Sequence, residues 1–310
     1  MSGSRCRLIA ILCALLVDYF PDGKAQETPS NGQTERAEAM KQFAYFDALA
    51  KSFSAKLASG AQLERSGDSL LNWTIDRSWH GSYYVWTAKG RPVMVGCFLA
   101  DSEKPGRRRA FIELHTMVDE PFTPLAFSVG QTYEWNPVAA RNSIPLNDVA
   151  APAKKEHARR SQMREIAQQF ELTMFRETGA SDAQEELRML AHPLYRYPAS
   201  TDGSLDGAIF AFVTARGTDP EFLLAVECDP RVKKGSWNVR PLRSCTRRLD
   251  LRRQGVTVWR CDEYSEAQQK TKLSEPYVIM TLLEASTKDF EAIRERMVTA
   301  NPTVPAVKEF

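Results

Sequence analysis

Glu113 and His115 are the side chains in this sequence best suited to acid–base chemistry. They stand two residues apart in a segment with the pattern of a β-strand, so both point to one face of that strand. A carboxyl group beside an imidazole can move protons during hydrolysis. With His80 or His192 the pair could also ligate a metal, although no two histidines have a ligand spacing such as HExxH. We therefore predict neither a metal nor a cofactor, and a polar strand face beside solvent is the alternative interpretation of the pair.

Gly67-Asp68-Ser69-Leu70 matches the tetrapeptide that names the GDSL family of esterases and lipases. The resemblance covers these four residues and would make Ser69 the nucleophile. The rest of the sequence departs from that family, because no Gly-x-Asn-Asp block follows to form an oxyanion hole and no Asp-x-x-His near the C-terminus supplies a base. A serine hydroxyl without a base is a poor nucleophile at neutral pH. We interpret the segment as a turn that enters a strand, and the sequence favours a protein that is not an enzyme.

Basic residues form short clusters in two loops that we expect to precede long strands. The first cluster contains Arg107, Arg108 and Arg109, and the second contains Lys233 and Lys234. If these loops converge, they can bind a polyanion such as an acidic polysaccharide. The alternative is that the charges keep exposed strand edges from pairing with other chains. The formal net charge of +2 does not predict nucleic acid as a partner.

The N-terminal residues have the pattern of a secretory signal peptide. Arg5 and Arg7 precede an apolar run at positions 8–17, and Ala25 lies at a small-residue cleavage site. We predict that residues 1–25 direct export to the periplasm or the extracellular space and are then removed. An uncleaved N-terminal anchor is the alternative. No later segment approaches the length of a membrane-spanning helix, so we expect no stable membrane span in the mature chain.

Four cysteines follow the predicted signal peptide. An oxidising compartment permits disulfide bonds between them. Cys245 and Cys261 lie on segments that we expect to be nearby strands, and we predict that this pair forms a disulfide. Cys97 and Cys228 each lie on the second strand of a predicted hairpin, where a buried free thiol is equally consistent.

Two stretches of the sequence echo each other and indicate an internal repeat. Residues 85–92 and 212–220 each begin with strand residues and end in a Gly/Pro turn, and each is followed by a second strand. Apolar residues at helical spacing precede each hairpin, among them Phe46 before the first and Met163, Phe170 and Met174 before the second. We therefore predict an α+β fold of two similar antiparallel β-meander units, each with a preceding amphipathic helix, packed together.

This interpretation sets the predicted boundaries. A disordered segment spans residues 26–34, the first half spans 35–138, a linker spans 139–155, the second half spans 156–300, and a tail spans 301–310. A groove between two such halves is a common place for a ligand. We expect the binding site of this protein in that groove.

Several short strings resemble a group of exported bacterial proteins that has no assigned activity. They are Trp86-Thr87 with Gly90-Arg91-Pro92, residues 193–198 (PLYRYP) and Gly217-Thr218-Asp219-Pro220. The resemblance implies export from a bacterium and transfers no site residues. We expect an exported, non-enzymatic protein that binds a ligand or partner which the sequence does not identify. The alternatives are a hydrolase that acts on an envelope or extracellular polymer and a polyanion-binding module.

Overall fold

The computed structural model describes most of the chain from residue 31 to residue 301. The described residues are 31–75, 78–102, 105–122, 125–126, 132–133, 135–137, 143–178, 181–197, 199, 205–215, 217–229, 236–264 and 275–301. The predicted signal peptide and most of the predicted tail lie outside these ranges. Every structural statement below concerns the described residues.

The fold is mixed α+β and mostly antiparallel sheet, which confirms the predicted class. The helices are α1 (Asn31–Ser52), α2 (Glu156–Ala167) and α3 (Thr287–Ala300). The strands are β1 (Glu64–Arg65), β2 (Leu71–Ile75), β3 (Trp79–Ala88), β4 (Arg91–Asp101), β5 (Arg107–Thr116), β6 (Leu125–Ala126), β7 (Thr132–Tyr133), β8 (Ile144–Leu146), β9 (Phe170–Thr178), β10 (Ser181–Met189), β11 (Tyr195–Tyr197), β12 (Asp206–Val213), β13 (Pro220–Cys228), β14 (Trp237–Arg243), β15 (Arg248–Arg253), β16 (Val256–Cys261) and β17 (Tyr277–Ser286).

The strands form two large sheets. Sheet 1 has the order β1-β3-β4-β5-β17, and β2 also pairs with β3. Sheet 2 has the order β16-β15-β9-β10-β12-β13-β14-β8, and β11 also pairs with β12. Strands β6 and β7 form a separate two-stranded ribbon.

The two sheets pack face to face, and helices cover their outer faces. Along β3, Tyr84 and Trp86 pack towards α1, whereas Tyr83 and Val85 pack towards sheet 2. The central strands are thus buried on both faces, which explains why residues 93–100 read as a continuous apolar run rather than an alternating one. The result is a four-layer arrangement of helices, sheet, sheet and helix.

Sheet 2 curls around α2. Leu249 of β15 and Phe222 of β13 belong to the same buried cluster as Met163 and Ile166 of α2, although three strands separate β15 from β13 in the sheet. The rings of Phe222 and Trp259 lie 5.6 Å apart. The loop after β14 lies beside the start of β13 because these two strands are antiparallel neighbours, with Arg243 opposite Phe222.

Helices α1 and α3 are joined by a buried arginine. The Arg294 side chain is 4% exposed, and its Nη1 donates to Glu38 Oε1 at 2.6 Å and to Gln42 Oε1 at 3.0 Å. Burial opposes ionisation of Glu38, but the hydrogen bonds and charges of Arg294 and Arg108 lower the pKa of Glu38 to about 2. The clasp therefore holds an ionised carboxylate between two helices that lie far apart in the sequence.

The division into sheets differs from the predicted division into halves. Strand β17 pairs with β5 along its length, for example Tyr277 with His115, and α3 packs on the same sheet. Residues 277–300 were expected in the second half, yet they complete sheet 1. The reason is that β5 has β4 on one side only, and β17 satisfies the backbone groups on its other side.

Three further local expectations need correction. Residues 31–34 were predicted to be disordered, yet they lie in the first turn of α1. Residues 139–155 were predicted to be a linker, yet Ile144–Leu146 within them forms a strand that pairs with Trp237–Val239. The second helix ends at Ala167, and Phe170 and Met174 lie on β9. Side chains four residues apart lie on one face of an α-helix and also on one face of a β-strand, so the spacing of Phe170 and Met174 fitted a helix as well as the strand they form.

Among the described helices, none is long and apolar enough to cross a membrane.

Candidate functional site

A cleft of about 880 Å³ opens between the two sheets at one end of the molecule. Both sheets contribute to its walls, and so does the loop that joins β14 to β15. Its lining from sheet 1 includes Trp73, Ile75, Trp79, Tyr83, Leu99, Glu113 and Ile279, and its lining from sheet 2 and its loops includes Met174, Arg176, Glu185, Ala215, Asp219, Glu221, Ser244, Cys245 and Arg247. The cleft is large enough for an organic molecule of several rings.

Three carboxyl side chains of this cleft form no ion pair within the described residues. Glu113 projects from β5 of sheet 1, and Asp219 and Glu221 flank Pro220 at the start of β13 in sheet 2. Each is partly buried. The pleat explains their positions, because residues 219 and 221 are two apart and lie on one face of their segment. The two sheets thus present carboxyl groups to the same space from opposite sides.

Glu113 is held by a tyrosine on the neighbouring strand. Tyr277 Oη donates a hydrogen bond of 2.8 Å to Glu113 Oε1. Burial raises the pKa of Glu113 to about 8; the Tyr277 hydrogen bond opposes this rise, and the nearby charges of Glu221 and Asp219 add to it. Glu113 is therefore largely protonated at neutral pH, and it can donate a proton.

Glu221 and Asp219 also ionise less readily than free carboxyl groups. Burial raises the pKa of Glu221 to about 7, the charge of Asp219 adds to the rise, and a hydrogen bond with the Cys245 thiol opposes it. Burial raises the pKa of Asp219 as well. Asp219 Oδ1 is buried without a hydrogen-bond partner among the described residues. Near pH 7 the cleft therefore contains both protonated and ionised carboxyl groups.

The cationic side chains of the cleft are engaged elsewhere. Arg176 lies 2.9 Å from Glu185, and Arg247 lies 3.2 Å from Glu263. No arginine or lysine among the described residues forms an ion pair with Glu113, Asp219 or Glu221, and the charges of Arg243 and Arg176 offset the effect of burial only in part. A ligand that donates hydrogen bonds is favoured in such a space over one that carries negative charge.

Arg243 fixes the loop that forms one wall of the cleft. Its side chain is buried, its Nε–H donates to the carbonyl oxygen of Cys245 at 2.8 Å, and its Nη2 lies 2.8 Å from the carbonyl oxygens of Thr246, Arg247 and Asp262. The preceding residue, Ser244, shares a hydrogen bond of 2.6 Å with Tyr83 Oη, which also donates to the Pro220 carbonyl at 2.8 Å. Hydrogen bonds between the sheets thus hold the wall in place before any ligand arrives.

Aromatic side chains form the sheet 1 wall. Trp73 is 7% exposed, and its Nε1–H has no hydrogen-bond partner among the described residues. Its indole ring packs closely over Gly81, where a side chain would clash. Trp79 is partly buried and stacks on Phe111 with a ring separation of 6.3 Å. Flat indole rings beside carboxyl groups suit a ligand with apolar faces and polar edges.

The structure separates the two predicted acid–base residues. Glu113 lines the cleft, whereas His115 lies beyond it beside a cavity of about 10 Å³. The Nδ1 atom of His115 lies 2.8 Å from the Thr116 carbonyl oxygen, and burial lowers the pKa of His115 to about 4. An imidazole that stays neutral and does not line the cleft is not a proton donor to a ligand in it.

The other candidate residues also lie away from the cleft. His80 shares a hydrogen bond with Thr74 and lines a separate cavity beside α1, and His192 is exposed. Ser69 does not line the cleft either. Within the part of the chain that the structure describes, no three His, Cys, Asp or Glu side chains are arranged to hold a metal ion.

The basic residues Arg107, Arg108 and Arg109 all form ion pairs. Their partners are Glu284 for Arg107, Glu38 and Glu291 for Arg108, and Asp101 for Arg109. Lys233 and Lys234 lie outside the described residues. Within the described residues, the positive charge of the first predicted basic cluster is therefore balanced by neighbouring carboxylates.

Cys245 and Cys261 pack in the same apolar cluster, and the structure holds both as free thiols. Cys245 is buried and lines the cleft, and Cys261 is partly buried on β16. Cys97 and Cys228 are buried thiols. The pairing of Cys245 with Cys261 stays a prediction.

No family model, curated protein or solved structure matches this chain. The site must therefore be understood from its own geometry. Asp219 and Glu221 are the site residues that sequence reasoning missed. Asp219 belongs to the Gly217–Pro220 turn that the sequence singled out, so an acidic residue on each side of Pro220 was the available signal.

Proposed function

We propose that this chain is an exported protein that binds a small organic ligand in the cleft between its sheets. The observation that carries the proposal is the 880 Å³ opening, which both sheets line and in which three carboxyl groups lack an ion-pair partner among the described residues. Clefts whose walls combine apolar side chains with convergent polar groups are typical ligand sites.

The chemistry of the walls indicates the kind of ligand. The carboxyl groups of Glu113, Asp219 and Glu221 favour hydroxyl, amide or amine groups, which donate hydrogen bonds. The indole rings of Trp73 and Trp79 favour flat apolar faces. Sugars combine these properties, because their rings have hydroxyl groups on the rim and C–H groups on the faces. We therefore expect a neutral, hydroxyl-rich ligand.

Two parts of the proposal concern origin and location. The hairpins β3–β4 and β12–β13 would be equivalent parts of two similar units, and the cleft would lie between those units. Export would follow from a signal peptide cut near Ala25, as the sequence pattern and the resemblance to exported bacterial proteins suggest.

A blocked cleft tests the binding function. Ala215 is exposed and lines the cleft, so Ala215→Trp fills its mouth without disturbing the core. Thr218→Trp is the matched control, because Thr218 is exposed on the same turn and does not line the cleft. Thermal unfolding is followed with a panel of mono- and oligosaccharides, amino acids and nucleosides.

A ligand at a hundred times its Kd stabilises the folded state by about 2.7 kcal/mol, which corresponds to a rise in Tm of roughly 5–10 °C in a chain of this size. We expect this rise in the wild type and in Thr218→Trp, and its loss in Ala215→Trp. Equal responses of the two variants would place the ligand elsewhere. No response of the wild type to any compound class would contradict the proposal.

A further inference from the structure

We propose that the cleft hydrolyses glycosidic bonds, with Glu113 as the general acid and Glu221 as the general base. This inference rests on the proposed function, because the substrate must occupy the same cleft. It goes beyond that function, because binding alone requires no proton transfer. Two carboxyl groups on either side of a scissile bond are the shared apparatus of most glycoside hydrolases.

The geometry supports a pair that acts from opposite sides. Glu113 belongs to sheet 1 and Glu221 to sheet 2, and both line the cleft. Neither forms an ion pair with an arginine or lysine among the described residues, and the charges of Arg243 and Arg176 offset their burial only in part. Tyr277 orients the Glu113 carboxyl group, and the backbone N–H of Ser244 donates to the Glu221 carbonyl, which fixes the strand that carries Glu221. A substrate held between the sheets would contact both groups.

Glycosidic bonds are the class that these residues suit. Hydrolysis of an acetal needs one proton donor and one proton acceptor, and both can be carboxyl groups. Ester or amide hydrolysis by a serine needs a base such as histidine beside the nucleophile, and neither His115 nor Ser69 lines the cleft. Trp73 and Trp79 supply flat surfaces on which a sugar ring can stack.

The reaction balances with water as the only co-reactant. The Glu113 carboxyl group donates its proton to the glycosidic oxygen, and the bond from that oxygen to the anomeric carbon breaks. A water molecule adds its oxygen to the anomeric carbon and gives a proton to the Glu221 carboxylate. The products are two sugars with free hydroxyl groups, and exchange with solvent returns each carboxyl group to its starting state.

The two carboxyl groups set the expected pH dependence. The base must be ionised, which requires a pH above about 7, and the acid must be protonated, which requires a pH below about 8. We expect a bell-shaped profile of kcat/KM with its maximum between these values. Glu221 governs the acidic limb, and Glu113 governs the basic limb.

The experiment uses 4-methylumbelliferyl glycosides and purified bacterial envelope glycan strands, with release of fluorophore or new reducing ends as the measurement. On the glycan strands, Glu113→Gln and Glu221→Gln should each lower kcat by about 10²- to 10⁴-fold, with little change in KM. Glu186→Gln is the control, because Glu186 is exposed on sheet 2 and does not line the cleft. It should retain wild-type turnover.

A second substrate separates the two roles. Dinitrophenyl glycosides have a leaving group that needs no proton, so they should restore turnover to Glu113→Gln and not to Glu221→Gln. Turnover of the glycan strands at the wild-type rate by either Gln variant would overturn the assignment. A protein that binds an oligosaccharide in the cleft, as judged by Ala215→Trp, and releases no product would overturn hydrolysis and leave binding intact. Failure of both assays would overturn both proposals.

Discussion

Replacing Glu113 by glutamine should stabilise the protein, and the gain should grow with pH. In the folded state the pKa of Glu113 is raised from 4.5 to about 8 by burial and by neighbouring acids. Below pH 4.5 the carboxyl group is protonated in the folded and the unfolded chain, so it causes no pH dependence. Between pH 4.5 and 8 the unfolded chain ionises while the folded chain stays protonated, and stability falls. Above pH 8 the penalty is complete.

The magnitude follows from the size of the shift. Each pKa unit corresponds to about 1.4 kcal/mol, so the rise from 4.5 to about 8 corresponds to about 5 kcal/mol as an upper bound. The side chain is partly exposed to water in the cleft, which screens part of this penalty, and we expect about 2–4 kcal/mol. Glutamine keeps an oxygen that accepts the Tyr277 hydrogen bond, so little else changes.

Urea denaturation at pH 4.5, 6.5 and 9 measures this effect. The free energies of unfolding of wild type and Glu113→Gln should agree at pH 4.5 and diverge in favour of the variant at pH 9. Glu186→Gln removes a carboxylate from an exposed position and should show no divergence. A difference between wild type and Glu113→Gln that is constant with pH would refute the argument that the cleft opposes ionisation.

Three further predictions concern other parts of the fold. Arg294→Met should lower the free energy of unfolding by about 1–2 kcal/mol, since it leaves the partly buried Glu38 carboxylate with one cation fewer. NMR titration should show the pKa of Glu38 rising from about 2, and wild-type stability would contradict a clasp. Gly81→Ala should cost about 2–3 kcal/mol in urea denaturation, because its Cβ would lie 2.2 Å from the indole ring that packs over it. Protein secreted into an oxidising compartment and alkylated before digestion should give a disulfide-linked peptide containing Cys245 and Cys261, and full alkylation of both would contradict that pairing.

Local patterns in the sequence predicted the two long hairpins. The hairpins β3–β4 and β12–β13 lie where the repeated pattern of strand, Gly/Pro turn and strand placed them. Strong apolar runs and Gly turns are local signals, so they identify elements without knowledge of the fold. By contrast, β10 carries little local signal, because its segment is rich in charged side chains and Leu187 is its one buried apolar residue.

The assembly of those strands could not be predicted in the same way. The pairing of β17 with β5 joins residues more than a hundred positions apart, and no local pattern records it. The candidate site shows the same limit. Glu113 was identified because it lies two residues from His115 on a predicted strand, but its apposition to Glu221 depends on how sheet 2 docks on sheet 1. His115 shares the strand face of Glu113, and only the position of the cleft opening separates the two.

The joining of both chain ends in sheet 1 has a consequence for the order of folding. The strands of sheet 2 lie between residues 144 and 261, so they can assemble as soon as the middle of the chain is available. Strand β5 lacks one of its two neighbouring strands until residues 277–286 are available, and α1 lacks its ion pair until Arg294 is available. We expect the centre of the chain to form its tertiary contacts first and the N-terminal strands to stay incomplete until the C-terminal ones arrive, which makes the last step of folding a slow, long-range closure. If the chain is exported from its N-terminus, sheet 1 would therefore stay incompletely folded until the C-terminal residues have crossed the membrane.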